Sequence, residues 1–120
     1  DGTGNSTVGT LTVDGNLVFD AAGTLALQLG PAGTAGVDYD NVVVTGSLTL
    51  DGTVDVEAVD GYGNGGRYRI LSFAPGTLAD NGLVVGSVPP ESPTPRVVVD
   101  NDAGAVYLDV APRTTLMTVR

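Results

Sequence analysis

The sequence predicts an all-β protein whose short strands stack as a segment of a parallel β-helix, with a hairpin near the C-terminal end. Three observations predict this fold. Aliphatic residues alternate with other residues at a period of two, single glycines interrupt the alternation at short intervals, and one part of the chain resembles another without gaps. Period two is the pattern of strands with one buried face, and internal similarity is typical of solenoids.

The composition fits one domain with one core. The chain has 120 residues, 42% of them hydrophobic, but it contains no Trp and only Tyr 4 and Phe 2, so the core must be built from aliphatic side chains. Gly 18 and Pro 7 are more than long helices tolerate. We expect one module over residues 1–120, with repeat coils over about 9–73, a loop and capping hairpin over about 82–110, and a polar tail over 111–120. The abrupt beginning and the polar end indicate a fragment of a larger secreted protein.

The first strands follow from the internal similarity, because Gly9–Asp20 can be laid over Gly46–Glu57 without a gap. Within these units and the one at Gly23, the aliphatic or aromatic residues lie two apart, and we expect them to face the core. They are Leu11 and Val13, Leu17 and Phe19, Leu25, Leu27 and Leu29, Leu48 and Leu50, and Val54 and Val56. No helix longer than one turn is predicted.

The Asp14-Gly15 and Asp51-Gly52 steps allow two topologies. Glycine accepts the positive φ of a two-residue hairpin turn, which would give a sandwich or a meander. In a parallel β-helix the same glycines turn corners between sheets. The flanking strands are only about three residues long, and such short paired strands are marginal unless others stack above and below them. We therefore favour the β-helix.

The later segments predict a different ending. Gly66–Phe73 reads as a strand with Tyr68, Ile70 and Ser72 on one face and Arg67, Arg69 and Leu71 on the other. The prolines of Val88–Pro95 predict an irregular loop. Arg96–Val110 reads as a hairpin with its turn at Asp100–Gly104. Such a hairpin would cover the end of a solenoid, which otherwise presents unpaired backbone groups.

The segment Tyr39–Val56 resembles a stretch near the C-terminal end of autotransporter passenger domains, where a Tyr-Asp pair leads into alternating strands broken by single glycines. The resemblance continues through the glycine-rich bend Gly61–Gly66 into Tyr68–Leu71, and through Val99–Leu108. It covers most of the chain from position 9 to position 110. Its motifs indicate an architecture more than a ligand.

The resemblance implies a right-handed β-helix stem, pertactin-like or AIDA-adhesin-like, whose last coil is capped by a hairpin before the linker to an outer-membrane β-barrel. In that family the region is an intramolecular folding and secretion aid, an autochaperone, at the Gram-negative cell surface or secreted from it. Its partners would be the upstream passenger coils and the downstream barrel of the same chain. The residues expected to fill or cap the coils are Tyr39, Asp40, Leu48, Leu50, Val54, Val56, Tyr68, Ile70, Val98, Tyr107 and Leu108.

The sequence also excludes several kinds of chemistry. His 0 and Cys 0 rule out Ser-His-Asp triads, thiol nucleophiles and His- or Cys-ligated metals, and the net charge of −9 argues against nucleic acid as a partner. No enzyme activity, cofactor or bound metal is expected. Asp100–Gly104 only partly matches a calcium loop, so we expect a plain turn. Carboxylates remain as candidates for acid and base catalysis, but those on strands alternate with inward aliphatic residues and should be solvated. They are Asp38, Asp40, Asp51, Asp55, Glu57 and Asp60.

Two other functions stay open. An adhesive module could bind a host glycan or protein through the loops Pro31–Gly36 or Val88–Pro95. Arg67, Tyr68 and Arg69 form a local basic and aromatic group that could bind an acidic glycan, although surface ion pairs are the simpler interpretation. A fragment of a polysaccharide-degrading β-helix enzyme is the third and weakest alternative. Asn5–Thr7 fits an N-glycosylation sequon, which means little in a bacterial protein.

Overall fold

Short strands make up the regular structure of this chain. A computed structural model describes residues 8–63, 65–90 and 92–112, and strands are the regular elements found there. The prediction of an all-β chain is confirmed. No helix long and apolar enough to cross a membrane occurs in these ranges. The sequon at Asn5–Thr7 and the tail Arg113–Arg120 lie outside them. The strands are β1 (Thr10–Val13), β2 (Leu17–Val18), β3 (Thr24–Leu29), β4 (Asn41–Val44), β5 (Leu48–Leu50), β6 (Thr53–Ala58), β7 (Gly66–Ser72), β8 (Ala79–Asp80), β9 (Val84–Val85), β10 (Arg96–Asp100) and β11 (Ala105–Val110).

The chain visits three sheets in the same order three times. One sheet has the order β1-β4-β7-β11-β10, the second β2-β5-β8 and the third β3-β6-β9. We call β1–β3 the first pass, β4–β6 the second and β7–β9 the third. Each strand of one pass pairs in parallel with its counterpart in the next pass. The five-stranded sheet is mixed, because β11 runs antiparallel to both β7 and β10.

Glycines turn the corners between the sheets. Gly15 has φ 125° and links β1 to β2, and Gly52 has φ 80° and links β5 to β6. The strands on either side of each glycine belong to different sheets. The hairpin interpretation of these two steps is therefore wrong, because the strands gain their hydrogen bonds from the next pass and not from each other.

The gapless overlay of the sequence does not match the way in which the passes stack. The overlay sets Leu11 on Leu48, whereas the structure pairs Leu17 with Leu48 and Leu11 with Val42. Hydrogen-bonded side chains of adjacent passes lie 31 residues apart at Thr10 and Asn41. The internal similarity thus relates strands of neighbouring sheets, because every strand follows the same alternation.

The core lies between the three sheets and is richest in the second pass. Its buried hydrophobic residues are Leu27, Leu29, Tyr39, Val42, Val44, Leu48, Leu50, Val54, Val56, Tyr68, Ile70, Leu71, Phe73, Leu83, Val106, Leu108 and Val110. Leu11 was expected to face the core, but 62% of it is exposed. The reason is its position: it lies on β1, which has a neighbouring strand on one side only within the described residues.

The facing of β7 differs from the prediction in its second half. Tyr68 and Ile70 are buried as the alternation predicts, but Leu71 is also fully buried and Ser72 is half-buried. The pairing of β7 with β11 shifts register between Val106 and Tyr107, which leaves one extra residue in β7. A bulge of this kind moves the inward positions by one residue, so the residues after Ile70 follow the opposite alternation.

The predicted hairpin is present, since β10 and β11 pair antiparallel along their whole lengths. Val97 and Val99 pack against the core, together with the buried Val106, Leu108 and Val110 of β11. Val98 and Tyr107 are opposite each other and half-buried. They alternate with the core-packing residues and therefore lie on the other face of the hairpin.

Candidate functional site

Three tyrosines form a cluster where the passes meet. Tyr68 projects from β7, Tyr39 precedes β4, and Tyr62 lies in the bend before β7. The rings of Tyr39 and Tyr68 meet edge to face, with centroids 4.9 Å apart and planes inclined at 79°. The Tyr62 ring lies 6.4 Å from that of Tyr68. Edge-to-face aromatic pairs contribute about 0.5–1.5 kcal/mol beyond the area that they bury.

The hydroxyls of this cluster connect segments that are distant in sequence. Buried Tyr68 donates to the Gly30 carbonyl oxygen at 2.6 Å. The Arg69 amide donates to the Tyr39 hydroxyl at 3.1 Å, and the Tyr62 hydroxyl is 2.6 Å from Ser92 Oγ. Burial, together with the nearby Tyr62 and Tyr39, raises the pKa of Tyr68 to about 12. The cluster therefore joins the end of the first pass to the beginning of the third.

Asp40 connects the first and second passes. Its Oδ1 accepts from the Gly9 amide and its Oδ2 from the Gln28 amide, both at 2.8 Å. The next residue, Asn41, is buried, and its Oδ1 accepts from Thr10 Oγ1 at 2.6 Å. A carboxylate that accepts from backbone amides is a strong hydrogen-bond partner. The Tyr-Asp-Asn sequence thus places one aromatic ring and two polar anchors where the second pass begins.

The N-terminal edge of the three sheets is open within the described residues. β1, β2 and β3 each form the last strand of their sheet there. Several side chains of this pass that pack against the core are only half-buried: Val13, Leu17, Phe19 and Leu25. Their counterparts one pass later, Val44, Leu48, Leu50 and Val54, are buried. Core-facing side chains at equivalent positions are therefore buried in the second pass and partly exposed in the first.

The opposite edge is closed where the sheet is widest. β11 pairs with β7 in the antiparallel direction, and β10 covers β11. The hairpin turn also contacts the chain after β7: the Asn101 carbonyl accepts from the Gly76 amide at 2.9 Å, and its Oδ1 accepts from the Leu78 amide at 3.3 Å. In the other two sheets the last strands, β8 and β9, have two residues each.

Most of the candidate catalytic carboxylates accept hydrogen bonds from backbone amides. Asp38 accepts from the Thr34 amide, Asp51 from the Gly52 amide and Asp55 from the Ser87 amide. Exposed Glu57 accepts from the Gln28 side chain at 3.2 Å. No three His, Cys, Asp or Glu side chains in the described ranges lie together in a way that could hold a metal ion.

The basic and aromatic group is arranged differently from the prediction. Tyr68 is buried, so it cannot contact a ligand beside Arg67 and Arg69. The aromatic ring beside these arginines is the half-buried one of Tyr107, whose centroid lies 4.8 Å from the Arg67 guanidinium carbon. Arg67 also pairs with Asp109 through two bonds of 2.7 and 2.9 Å, and these bonds hold the pKa of Asp109 below its usual value.

Some of these residues were not found from the sequence. Tyr107 was expected in the capping hairpin, but its place beside Arg67 depends on the register of β11 on β7. Tyr62 was not singled out at all, and Asn101 was considered only as part of the turn and partial calcium loop Asp100–Gly104. Tyr62 gave a signal that could have been read, because it is an aromatic residue within an otherwise glycine-rich bend. No sequence signal indicated the hydrogen bonds of Asn101, because they join two different loops.

Comparison with known proteins gives one informative relative. No protein-family model and no solved structure matches this chain. The protein Adhesin BmaC autotransporter of Brucella suis biovar 1 (strain 1330) is 40% identical to it over 116 residues, which is 95% of this chain. The chain is therefore related to an autotransporter. It spans only 3% of the length of that relative.

Proposed function

We propose that this chain is a non-enzymatic stem segment of an autotransporter passenger at the Gram-negative cell surface, and that it helps the passenger to fold. In this proposal the three passes are coils of a right-handed parallel β-helix. The repeated order of the three sheets and the in-register parallel pairing between passes support it. The similarity to an autotransporter adhesin supports the biological setting.

The observation that carries the proposal is the difference between the two ends. At the N-terminal edge, the strands of the first pass have a neighbour on one side only within the described residues, and apolar side chains such as Leu11 are exposed. Another coil stacked there would bury them in the way that the second pass buries its own. At the other edge, the antiparallel β11 covers β7. In the five-stranded sheet, a further parallel strand could therefore be added beside β1 but not beside β7.

A preformed end of this kind would speed the folding of whatever precedes it. Forming the first coil of a parallel β-helix closes a long loop before the ladder contacts compensate, which makes nucleation slow. Solenoids then grow by contacts between neighbouring repeats. The tyrosine cluster and Asp40 connect coils that are distant in sequence, and they stabilise the end on which the next coil would form.

The test removes the closed end from a full-length passenger that carries this chain. Deleting Arg96–Val110 should slow refolding, reduce surface display and leave the passenger sensitive to protease. As a control, Arg96→Gln leaves the hairpin in place, so display should stay normal. Normal folding and display of the deletion protein, combined with lost attachment to host cells, would favour adhesion instead.

The second candidate, adhesion, is favoured by the similarity to a protein named as an adhesin. Of the two loops expected to bind a ligand, Val88–Pro95 is tied back to the chain through Ser92, whereas Pro31–Gly36 borders an open groove. An adhesive contact and a stem role involve different surfaces of the chain.

A further inference from the structure

A groove lies beside the five-stranded sheet, next to the loop that follows β3. It is lined by the backbone and side chains of this loop and by residues of β7 and β11, and its volume is about 490 Å³. Small-molecule sites have volumes of about 300–1,000 Å³. The lining residues are Gly33, Thr34, Ala35, Tyr39, Arg67, Arg69 and Tyr107.

Two arginines of this strongly acidic chain, Arg67 and Arg69, line the groove. The net charge is −9, and all five basic residues are arginines. The three that lie in the described ranges are Arg67 and Arg69 on β7 and Arg96 on β10 of the same sheet. Arg67 and Arg96 both pair with Asp109, at 2.7 and 3.5 Å.

Arg69 differs from the other two arginines. Its side chain is exposed, and within the described residues no carboxylate lies within ion-pair distance of its guanidinium. Asp38, an acidic residue of the adjoining loop, accepts from the Thr34 amide at 2.7 Å and lines a separate hollow together with Pro31 and Asp60. The charge of Arg69 is therefore available to a ligand in the groove.

Tyr107 is the residue of β11 that lies opposite Arg69 and lines the same groove. The Arg67 guanidinium lies over its ring at 4.8 Å and is itself fixed by two bonds to Asp109. This pairing holds a half-buried aromatic ring beside the free guanidinium. Aromatic side chains pack against apolar faces, and a planar guanidinium binds a carboxylate through two parallel bonds.

We propose that this groove binds a carboxylated sugar, with the carboxylate on Arg69 and the apolar face of the ring against Tyr107. The inference does not depend on the stem role, because the groove uses the outer face of β7 and β11 and leaves the N-terminal edge free. A sialic acid at the end of a glycan and a uronic acid within a polymer share this chemistry, and the experiment separates them.

The test is a titration of the 120-residue chain, followed by ¹H–¹⁵N NMR spectra, with three probes: sialyllactose, a glucuronate-containing disaccharide and neutral lactose. An acidic sugar should shift the amide signals of Thr34, Arg69 and Tyr107 in a saturable way, with a dissociation constant of about 1 mM. Whichever acidic probe binds more tightly identifies the source. Lactose should cause no saturable shifts.

Arg69→Gln keeps the backbone bond to Tyr39 and removes only the charge, so it should weaken binding about tenfold or more. The matched control is Arg96→Gln, on the same sheet but outside the groove, which should bind as the unaltered chain does. Equal binding of lactose, unchanged affinity of the Arg69→Gln variant, or no saturable shift with either acidic probe would overturn the proposal.

Discussion

At the scale of single residues, Tyr68 shows how one polar atom can hold two distant parts of the chain together. Its ring is buried in the core and its hydroxyl donates to the carbonyl oxygen of Gly30, which is itself a buried residue. A buried carbonyl without a partner is costly, so the hydroxyl does more for stability than an exposed one would. The identity of this residue as tyrosine, and not only its size, is therefore part of the fold.

Replacing Tyr68 with Phe should lower the free energy of unfolding by about 1–3 kcal/mol, because the Gly30 carbonyl loses its side-chain partner. Tyr107→Phe, at a half-buried position, should change it by less than about 0.5 kcal/mol. Urea unfolding of both variants measures the difference. An equal fall in the free energy of unfolding in both variants would mean that the hydrogen bond to Gly30 does not stabilise the fold.

The raised pKa of Tyr68 also predicts that the stability of the fold falls at alkaline pH. Its pKa is raised from 10.0 in the unfolded chain to about 12 in the folded one. The folded state thus keeps the proton more tightly, and the associated stability is fully present below pH 10 and is lost as the pH rises towards 12. The Tyr68→Phe variant should lack this part of the alkaline loss when unfolding is followed against pH. An identical alkaline slope in both proteins would contradict the assignment.

Leu48 and Leu11 offer a comparison of the two kinds of aliphatic position. Leu48 is fully buried and Leu11 is 62% exposed. Leu48→Asp should cost more than about 4 kcal/mol or prevent folding, because an unpaired carboxylate would enter the core. Leu11→Asp in the same chain should have a small effect. Thermal unfolding checks both, and an unaltered melting temperature for Leu48→Asp would show that the facing of β5 is wrong.

Whether the burial of a side chain could be predicted from the sequence depended on its place in the fold. The period-two alternation located the buried side chains of the second pass, such as Leu50 and Val56, because both faces of that core are covered. It failed at Leu11, whose exposure depends on what lies next to the first pass. It failed again at Leu71, since a bulge is set by the register with β11 and not by β7 alone.

At the scale of elements, the corners depend on glycine where one pass comes close to another. A Cβ atom on Gly52 would collide with the Gly23 carbonyl oxygen of the preceding corner and lie 2.8 Å from that of Asp20. The Gly23 carbonyl must be this close because it accepts from the Thr53 amide at 2.9 Å. Glycine at this corner thus permits the hydrogen bond between the passes.

Gly52→Ala should therefore destabilise the chain by about 3 kcal/mol or more. Gly76 is a matched control, because it has the same φ of 80° but no atom within 4 Å of a Cβ placed there. Gly76→Ala should cost about 1 kcal/mol, from backbone strain alone. Denaturant unfolding separates the two, and similar losses would show that strain at the corner matters and close stacking does not.

The hairpin turn bears on the question of calcium. Its oxygens are used by the backbone: Asp100 Oδ1 accepts from the Ala103 amide, and the Asn101 carbonyl from those of Gly76 and Gly104. We therefore expect the melting temperature to be the same with excess chelator as with added calcium. A fall of several degrees in chelator would identify this turn as a metal loop.

The type and order of the strands were easier to predict than their partners. Alternation and glycine breaks located most strands, and Asp100–Gly104 was predicted as a turn on its composition. The number of residues from one pass to the next was not predicted, because strands in all three sheets share one alternation. The gapless overlay of the sequence therefore matches strands that do not pair in the structure. Which strands pair is decided by contacts between residues far apart in the chain, such as the hydrogen bond of Gly9 with Asp40, 31 residues away. A pattern of neighbouring residues carries no information about such contacts.

At the scale of the whole molecule, the two ends give the chain a direction. Within the described residues, the N-terminal edge leaves one side of β1, β2 and β3 unpaired and exposes apolar side chains such as Leu11, whereas the antiparallel hairpin prevents parallel pairing beyond β7. Exposed sheet edges promote unwanted pairing between proteins, and natural β proteins usually protect them. An open edge at one end and a covered edge at the other are what a terminal stem segment requires, and the acidic surface opposes association between copies.

The most direct test of this account is hydrogen exchange of the backbone amides in the first pass. Two proteins are compared: this chain alone, and the same chain extended at its N-terminus by the adjoining passenger sequence. The account predicts that amides of Thr10–Val13, Leu17–Val18 and Thr24–Leu29 become markedly more protected in the extended protein, while those of Thr53–Ala58 change little. Unchanged exchange in the first pass, or new protection confined to the hairpin strand Arg96–Asp100, would contradict the claim that coils stack on the open edge.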